Sequence, residues 1–175
     1  MKRLLQGLGK YRRLLLVAVA VFAADQASKF WMLKNIPAGA YRGDEQSLTL
    51  IDGWLYFVHI YNPGAAWGMF SGWAMALGLL GIAAIALMFV FRRQLELHRR
   101  PVQLIFGLLI GGILGNLVDR FAYGHVLDFI LVILPGGYEW PAFNVADIAI
   151  TSSVAAYFIA SIVQSLRKRG DEKPA

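Results

Sequence analysis

Three aspartates lie in apolar surroundings in the last third of the chain. Asp119 follows a long apolar run, Asp128 is flanked by Val, Leu and Phe, and Asp147 begins another apolar run. Two carboxylates held a few ångströms apart cannot both ionise easily, so one keeps a proton. Such a pair can activate water as a general base and protonate a departing amine as a general acid. Because ion pathways also place acids in apolar segments, peptide hydrolysis and transport both remain open.

Polar residues accompany these acids at helical spacing. Asn116 lies three residues before Asp119 and four before Arg120, while Asn144 lies three before Asp147. Residues three or four apart share one side of a helix. We therefore expect Asn116 to lie beside Asp119 and Arg120, and Asn144 beside Asp147. We also expect the neighbouring Asp119 and Arg120 to hold each other, which would keep this acid ionised and occupied.

Another pair of charges stands near the end of the first apolar run. Asp25 and Lys29 are four residues apart, and are expected to form an ion pair on one helix face. A structural role is favoured, because such a pair neutralises itself. Later, Gly107, Gly111 and Gly115 recur every four residues. This stripe of small residues predicts the close approach of another helix.

The elements that position these residues follow from the composition. The 175 residues are 58% hydrophobic and only 16% charged, whereas soluble domains are about 25% charged. Four apolar runs, at approximately 14–33, 72–91, 102–118 and 145–166, are long enough to cross a bilayer as helices. The expected fold class is an all-α membrane protein with four transmembrane helices, forming one domain over residues 1–175.

The basic residues predict the orientation of these helices. Thirteen of the seventeen Lys and Arg residues flank the runs on one side. They are Lys2, Arg3, Lys10, Arg12, Arg13, Arg92, Arg93, Arg99, Arg100, Arg167, Lys168, Arg169 and Lys173. Positive residues favour the cytoplasm, so both termini are expected there. The net charge of +6 then reflects topology and predicts no contact with nucleic acid. We expect the first run to be retained rather than cleaved as a signal peptide, since it contains Asp25, Gln26 and Lys29.

The two outward connections differ in length. Residues 35–68 contain Asp52-Gly53 between runs rich in aromatic and β-branched residues, which predicts a small extracytoplasmic β-hairpin or sheet between helices 1 and 2. The second connection, about 119–143, contains the turn Pro135-Gly136-Gly137. The polar residues 170–175 are expected to form a disordered tail.

Other catalytic arrangements are absent from the sequence. Without cysteine there is no thiol nucleophile or thiolate metal site. Neither the His-Glu-x-x-His zinc motif nor the Gly-x-Ser-x-Gly hydrolase motif occurs, and the three histidines are scattered. Asp and water suffice for acid–base hydrolysis, so no metal or organic cofactor is expected.

Five motifs, in order, resemble the bacterial lipoprotein signal peptidase family (signal peptidase II), which consists of intramembrane aspartyl peptidases. They are Asp25-Gln26-Ala27-Ser28-Lys29, Asn62-Pro63-Gly64-Ala65-Ala66-Trp67, Gly112-Ile113-Leu114-Gly115-Asn116-Leu117-Val118-Asp119-Arg120, Val126-Leu127-Asp128-Phe129 and Phe143-Asn144-Val145-Ala146-Asp147. Each motif alone is weak, but five in order with a matching topology are specific.

The resemblance implies that Asp128 and Asp147 are the catalytic pair. It implies a supporting set made of Asn62, Gly64, Asn116, Asp119, Arg120, Asn144, Asp25 and Lys29, with Asn62 and Gly64 lining the substrate groove. The substrate would be a prolipoprotein carrying diacylglyceryl on its cysteine, cut just before that residue. The enzyme would work as a monomer among the lipids of the bacterial inner membrane, with its site near the outer face.

Two other functions are compatible with parts of the sequence. A small ion or proton transporter could use the embedded carboxylates, although these cluster towards one membrane face and no inverted repeat is apparent. An assembly subunit could use the glycine stripe to bind a partner helix, but this leaves the Asn and Asp motifs unexplained.

Overall fold

The computed structural model describes residues 9–65 and 68–171. This part of the chain contains four long helices and four strands, with two strands after the first helix and two before the last. The helices are α1 (Arg12–Asn35), α2 (Ala74–Val90), α3 (Arg100–Tyr123) and α4 (Val145–Asp171). The strands are β1 (Leu48–Ile51), β2 (Leu55–Asn62), β3 (Val126–Ile133) and β4 (Glu139–Phe143), and they form an antiparallel sheet in the order β1-β2-β3-β4.

Each predicted apolar run corresponds to a helix. The helix α1, the helix α3 and the segment Val145–Arg167 of α4 are long and apolar enough to cross a membrane, with 24, 24 and 23 residues. The helix α2 is apolar but has only 17 residues. The protein is therefore a membrane protein with three helices of spanning length in the described residues.

The helix α3 packs against both α1 and α4 through its glycines. A Cβ atom on Gly111 would lie 2.6 Å from the carbonyl oxygen of Ala18 in α1. On Gly112 it would lie 2.6 Å from the carbonyl oxygen of Ala146 in α4. The predicted close approach at the glycine stripe is thus confirmed. Gly112, which lies outside that stripe, allows the same close approach to α4.

The predicted hairpin at Asp52-Gly53 is present, with Thr49 paired to Tyr56 and Gly53 at a φ of 71°. The sheet is nevertheless larger than expected, because β3 and β4 come from the connection between α3 and α4. The expectation that the hairpin or sheet comes from the connection between helices 1 and 2 alone is wrong to this extent. The run Val126–Ile133 is apolar except for Asp128, so it lacks the alternation that identifies a half-buried strand.

The strand β3 presents its residues to two sides. Leu127 and Phe129 pack in a buried cluster with Met32 and Ile36 near the end of α1. Because side chains alternate along a strand, Asp128 points to the opposite side. Asp128 thus lies within a strand, whereas Asp147 lies in the first turn of α4.

Some sequence predictions concern the chain ends and one short segment. The helix α4 continues through Gly170 to Asp171, so the predicted tail does not begin at 170. Residues 172–175 lie outside the described residues. The same is true of residues 1–8, with Lys2 and Arg3, and of Ala66 and Trp67 in the second motif.

Candidate active site

Asp128 is held by two asparagine amides. Its Oδ2 accepts a hydrogen bond from Asn62 Nδ2 at 2.8 Å, and its Oδ1 accepts one from Asn144 Nδ2 at 2.8 Å. The side chain is buried, with 3% of its residue surface exposed. Burial and the nearby carboxyl of Asp147 raise the pKa of Asp128 to about 7, although both amides act in the opposite direction. This carboxyl can therefore gain or lose a proton near neutral pH.

Asp147 lies in the first turn of α4, and Asn144 caps that turn. Asn144 Oδ1 accepts a hydrogen bond from the Asp147 backbone N–H at 3.0 Å. In return, Asp147 Oδ2 accepts one from the Asn144 backbone N–H at 3.2 Å. This reciprocal pattern is a capping box with Asn at the cap and Asp three residues later. Asn116 Nδ2 donates a third hydrogen bond, to Asp147 Oδ1 at 2.7 Å.

Asn144 joins the two aspartates, since it bonds to both while fully buried. Both acids line one cavity of about 410 Å³. Its other lining residues include Asn62, Asn116, Arg120 and the β4 residues Trp140, Pro141, Ala142 and Phe143. Of the three aspartates in this part of the chain, the fold brings Asp128 and Asp147 to one cavity, although they lie 19 positions apart in the sequence. Asp119 does not line this cavity.

A buried ionic cluster supports this cavity from the side of α1. Lys29 Nζ lies 2.8 Å from Asp25 Oδ2 and 2.8 Å from Asp119 Oδ2. It also donates to Asn116 Oδ1 at 3.0 Å, and Asn116 in turn holds Asp147. The predicted Asp25–Lys29 ion pair is confirmed, with Asp119 as a second acid on the same lysine.

The predicted pairing of Asp119 with Arg120 is wrong. The ion-pair partner of Asp119 in the described residues is Lys29. Neighbouring residues on a helix do not face each other, so adjacency in sequence does not place these two charges together. Arg120 instead donates to the carbonyl oxygens of Gly64 at 3.1 Å and Asn116 at 3.4 Å, and it lines the aspartate cavity.

The loop after β2 forms another wall of the cavity. Asn62 Oδ1 accepts a hydrogen bond from the Gly64 backbone N–H at 3.0 Å. A Cβ on Gly64 would lie 2.3 Å from the carbonyl oxygen of Met69, so this position requires glycine. Asn62 lines the cavity directly, whereas Gly64 acts through the positions of Asn62 and Arg120.

Gln26 is a contributor that the sequence analysis did not place in the site. Its Nε2 is within hydrogen-bond distance of Asp25 Oδ2, Asp119 Oδ1 and the Gly115 carbonyl oxygen, at 3.2, 3.2 and 3.3 Å. Asp25 Oδ1 also accepts a hydrogen bond from the Ala146 backbone N–H at 2.9 Å. No spacing rule points to the contacts with Asp119, Gly115 and Ala146, because these depend on how α1 packs against α3 and α4.

A larger cavity of about 620 Å³ lies on the other side of β3. It is lined by Leu127, His125, Tyr61 and Asp119, together with residues of α1, and it contacts neither Asp128 nor Asp147. In the described residues, no group of three or more His, Cys, Asp or Glu side chains is arranged to hold a metal ion. The smaller cavity, which both Asp128 and Asp147 line, is the candidate active site.

The family profile described as "Signal peptidase (SPase) II" matches residues 17–163 of the chain. The chain belongs to the signal peptidase II family. The resemblance seen in the five motifs is thereby confirmed. Membership in a family of peptidases also favours an enzyme over the transporter and the assembly subunit.

Individual relatives agree with this assignment. The chain is 36% identical over 153 residues to the lipoprotein signal peptidase of Desulforapulum autotrophicum, covering 83% of this chain and 88% of the relative. It is 34% identical over 157 residues to that of Geobacillus thermodenitrificans, covering 90% and 94%. With that of Bacillus subtilis it shares 32% identity over 157 residues, covering 90% and 97%.

Solved structures show the same architecture. A bacterial membrane enzyme determined by the in meso method at 2.3 Å superposes with a TM-score of 0.79 and 30% identity, and the match covers 93% of each chain. A second such enzyme, at 1.9 Å, has a TM-score of 0.72 and 31% identity, covering 84% of this chain and 90% of the other. The arrangement of helices and sheet is thus that of known membrane enzymes.

Proposed function

We propose that this protein removes the signal peptides of lipoproteins by hydrolysing one peptide bond in the cavity shared by Asp128 and Asp147. The relatives in three bacteria are named lipoprotein signal peptidases, and the chain covers most of their length. The observation that carries the catalytic assignment is the contact of Asn144 with both acids inside one cavity. It supports a shared task for the two carboxyls, which would act on one water and one scissile bond.

The two carboxyls divide the proton transfers of hydrolysis between them. The ionised member takes a proton from water, and the resulting hydroxide forms a bond to the scissile carbonyl carbon. The protonated member donates its proton to the amide nitrogen as the C–N bond breaks, so the products are a carboxylic acid and an amine. A pKa of about 7 allows Asp128 to exchange a proton during each cycle.

The polar residues around the pair keep the carboxyls in position. Asn62 and Asn144 hold the two oxygens of Asp128, while Asn116 holds Asp147. Lys29 Nζ donates a hydrogen bond to the side-chain Oδ1 of Asn116. This contact orients the amide Nδ2 of Asn116 towards Asp147. Arg120 brings a positive charge to the same cavity, which favours one ionised carboxyl.

The proposed substrate is a prolipoprotein with diacylglyceryl on the cysteine that follows the cut. The acyl chains of such a substrate remain in the bilayer, so its scissile bond must lie close to the membrane surface. Asp147 begins a helix of spanning length and Asp128 lies in the adjoining sheet, which suits a bond at that depth. No further partner is needed for this chemistry, and we propose that the protein acts as a monomer.

The proposed topology has four spans, with both termini in the cytoplasm of a bacterial inner membrane and the site at the outer face. The 17 residues of α2 reach about 26 Å at 1.5 Å per residue, close to the thickness of a bilayer core. Most of its large side chains, including Leu79, Leu80 and Leu87, are exposed, as expected for a surface in contact with lipid. The basic residues before and at the start of α1, from the end of α2 to the start of α3, and towards the end of α4 and beyond it then fall on one side.

Cleavage of a diacylglyceryl-modified prolipoprotein in liposomes tests the proposed function. The variants Asp128→Asn and Asp147→Asn should each reduce the rate at least about a hundredfold, because acid–base catalysis contributes about 10²–10⁴. Glu45→Gln is the matched control, since Glu45 is exposed and far along the sequence from both acids. The dyad assignment is wrong if both Asp variants stay active while Asp119→Asn is inactive. Ion flux through the liposomes without proteolysis would overturn the proposed function in favour of transport.

A further inference from the structure

The strand β4 borders the aspartate cavity in an unusual way. Four consecutive residues, Trp140 to Phe143, line the cavity. Side chains alternate along a strand, so a strand that presents one face contributes every second residue. The strand β3 does this with Val126 and Asp128. The consecutive lining therefore indicates that the backbone edge of β4 faces the cavity.

The pairing of β4 agrees with a cavity-facing edge. It is the last strand of the sheet, and in the described residues its ladder partner is β3 alone. Val132 pairs with Trp140 and Ile130 pairs with Phe143, so Leu131 lies opposite both Pro141 and Ala142. Two residues opposite one define a β-bulge, which leaves an extra residue outside the ladder and bends the strand.

The residues at the bulge suit an edge that receives another strand. Pro141 has no backbone N–H, and proline is tolerated in sheets at edges and bulges. Its carbonyl oxygen and the N–H of Ala142 are the backbone groups of the bulge. All four lining residues of β4 are uncharged, so the edge fits an apolar segment better than a charged one.

We propose that the edge of β4 binds the substrate as an added strand, formed by the extended peptide segment just before the scissile bond. This inference rests on the proposed function and deepens it. The five residues of β4 extend about 17 Å, enough to pair with roughly five residues of peptide. The residue after the scissile bond carries the lipid. The acyl chains of this lipid must remain in the bilayer, so this residue is not assigned to the edge of β4.

Strand addition gives affinity through main-chain hydrogen bonds, which do not depend on the peptide's side chains. The cavity then holds the peptide between two walls. One is the β4 edge, and the other contains Asn62 and Arg120. An extended backbone between them brings a peptide bond past Asp128 and Asp147, and differing signal peptides could be bound in one geometry.

N-methylation of the substrate tests the added strand. A series of lipid-modified prolipoprotein peptides, each with one backbone N-methyl group before the scissile bond, is compared with the parent peptide. Only alternate N–H groups of an added strand point to its neighbour. We therefore expect dissociation constants that rise about fivefold or more at every second position and change little at the positions between. Binding is measured with the Asp147→Asn variant in liposomes, so that affinity is separated from cleavage.

Alanine substitution at the same peptide positions is the control, because it alters side chains and leaves the N–H groups intact. An N-methyl series that is flat, or one that follows the alanine series, would overturn the added strand. Wild-type protein with the parent peptide tests cleavage independently. If the parent peptide is not cleaved but the affinities of the N-methyl series still alternate, only the proposed function is contradicted. If the parent peptide is cleaved and the N-methyl series is flat, only the added strand is contradicted.

Discussion

The Nδ2 atom of Asn144 lies 2.8 Å from Asp128 Oδ1, and this contact joins the strand β3 to the start of α4. The same asparagine caps the helix that carries the second acid. One side chain thus fixes the relative position of two carboxyls that are distant in sequence. Replacing Asn144 by a residue without an amide therefore tests the positioning of the carboxyls separately from their acid–base chemistry.

The variant Asn144→Ala should lower the cleavage rate at least about tenfold, because small displacements of a reacting pair are costly. In the wild type, the hydrogen bond from Asn144 stabilises the ionised form of Asp128. Its loss should therefore raise the pKa of Asp128 and shift the pH profile of the cleavage rate to higher pH. Rates measured from pH 5 to 9 check both effects. Asn144→Asp retains a capping oxygen and serves as the comparison for the helix start. A slower enzyme with an unshifted profile would show that Asn144 acts only through folding.

Cleavage by the unaltered protein should fall as the pH rises above about 7. The mechanism requires one proton on the pair, and the raised pKa of Asp128 places its loss in this range. The measurement is kcat over the same pH range with a substrate that has no titrating group near neutrality. A rate that is constant from pH 6 to 9 would contradict a catalytic role for this proton.

The stability of the protein should decrease as Asp128 loses its proton with rising pH. The folded pKa of Asp128, about 7, lies above its ordinary value of 3.8, so the fold favours the neutral acid. Its contribution to stability is fully present below pH 3.8 and is lost as the pH rises through 7. The variant Asp128→Asn, which stays neutral, should therefore gain apparent Tm relative to wild type between pH 4 and pH 8. Thermal unfolding in detergent at both pH values measures this. A difference that does not grow with pH would contradict the raised pKa.

Much of the framework could be predicted from the sequence. Four apolar runs indicated the helices, the Asp-Gly turn indicated the hairpin, and the spacing of Asn144 and Asp147 matched their capping box. These features depend on residues close together in the chain. Local spacing and hydropathy carry that information directly.

The remaining features depend on contacts between distant segments. The sequence does not predict the strand β3, because its apolar run does not alternate, nor β4, because that strand is short and contains proline. Sequence adjacency suggests Arg120 as the partner of Asp119, but Lys29 reaches this acid from another helix. Periodicity indicates which face of a helix is polar, but not which helix that face meets.

Lys29 is expected to be important for stability as well as for the site. The variant Lys29→Met leaves Asp25 and Asp119 buried without their positive charge. Removal of one partner from a buried ion pair costs about 3–5 kcal/mol, so the apparent Tm in detergent should fall strongly. Lys34→Met is the matched control, because Lys34 is exposed on the same helix. Equal Tm values for the two variants would contradict a structural role for the cluster.

A substitution at Gly111 tests whether the close approach of α1 and α3 positions the cavity lined by Asp128 and Asp147. In the variant Gly111→Ala, the new methyl group would lie 2.6 Å from the backbone oxygen of Ala18, so the two helices must separate. Overpacking of this kind costs about 1–3 kcal/mol. The separation should also loosen the contact of Lys29 with Asp119 and Asn116, and thereby lower kcat. Gly81→Ala is the control, because its nearest neighbours are side-chain atoms of Ile113 and Leu117, which can shift. Thermal unfolding and cleavage kinetics on both variants check this. A less stable Gly111→Ala protein with unchanged kcat would show that the glycine contact serves folding alone.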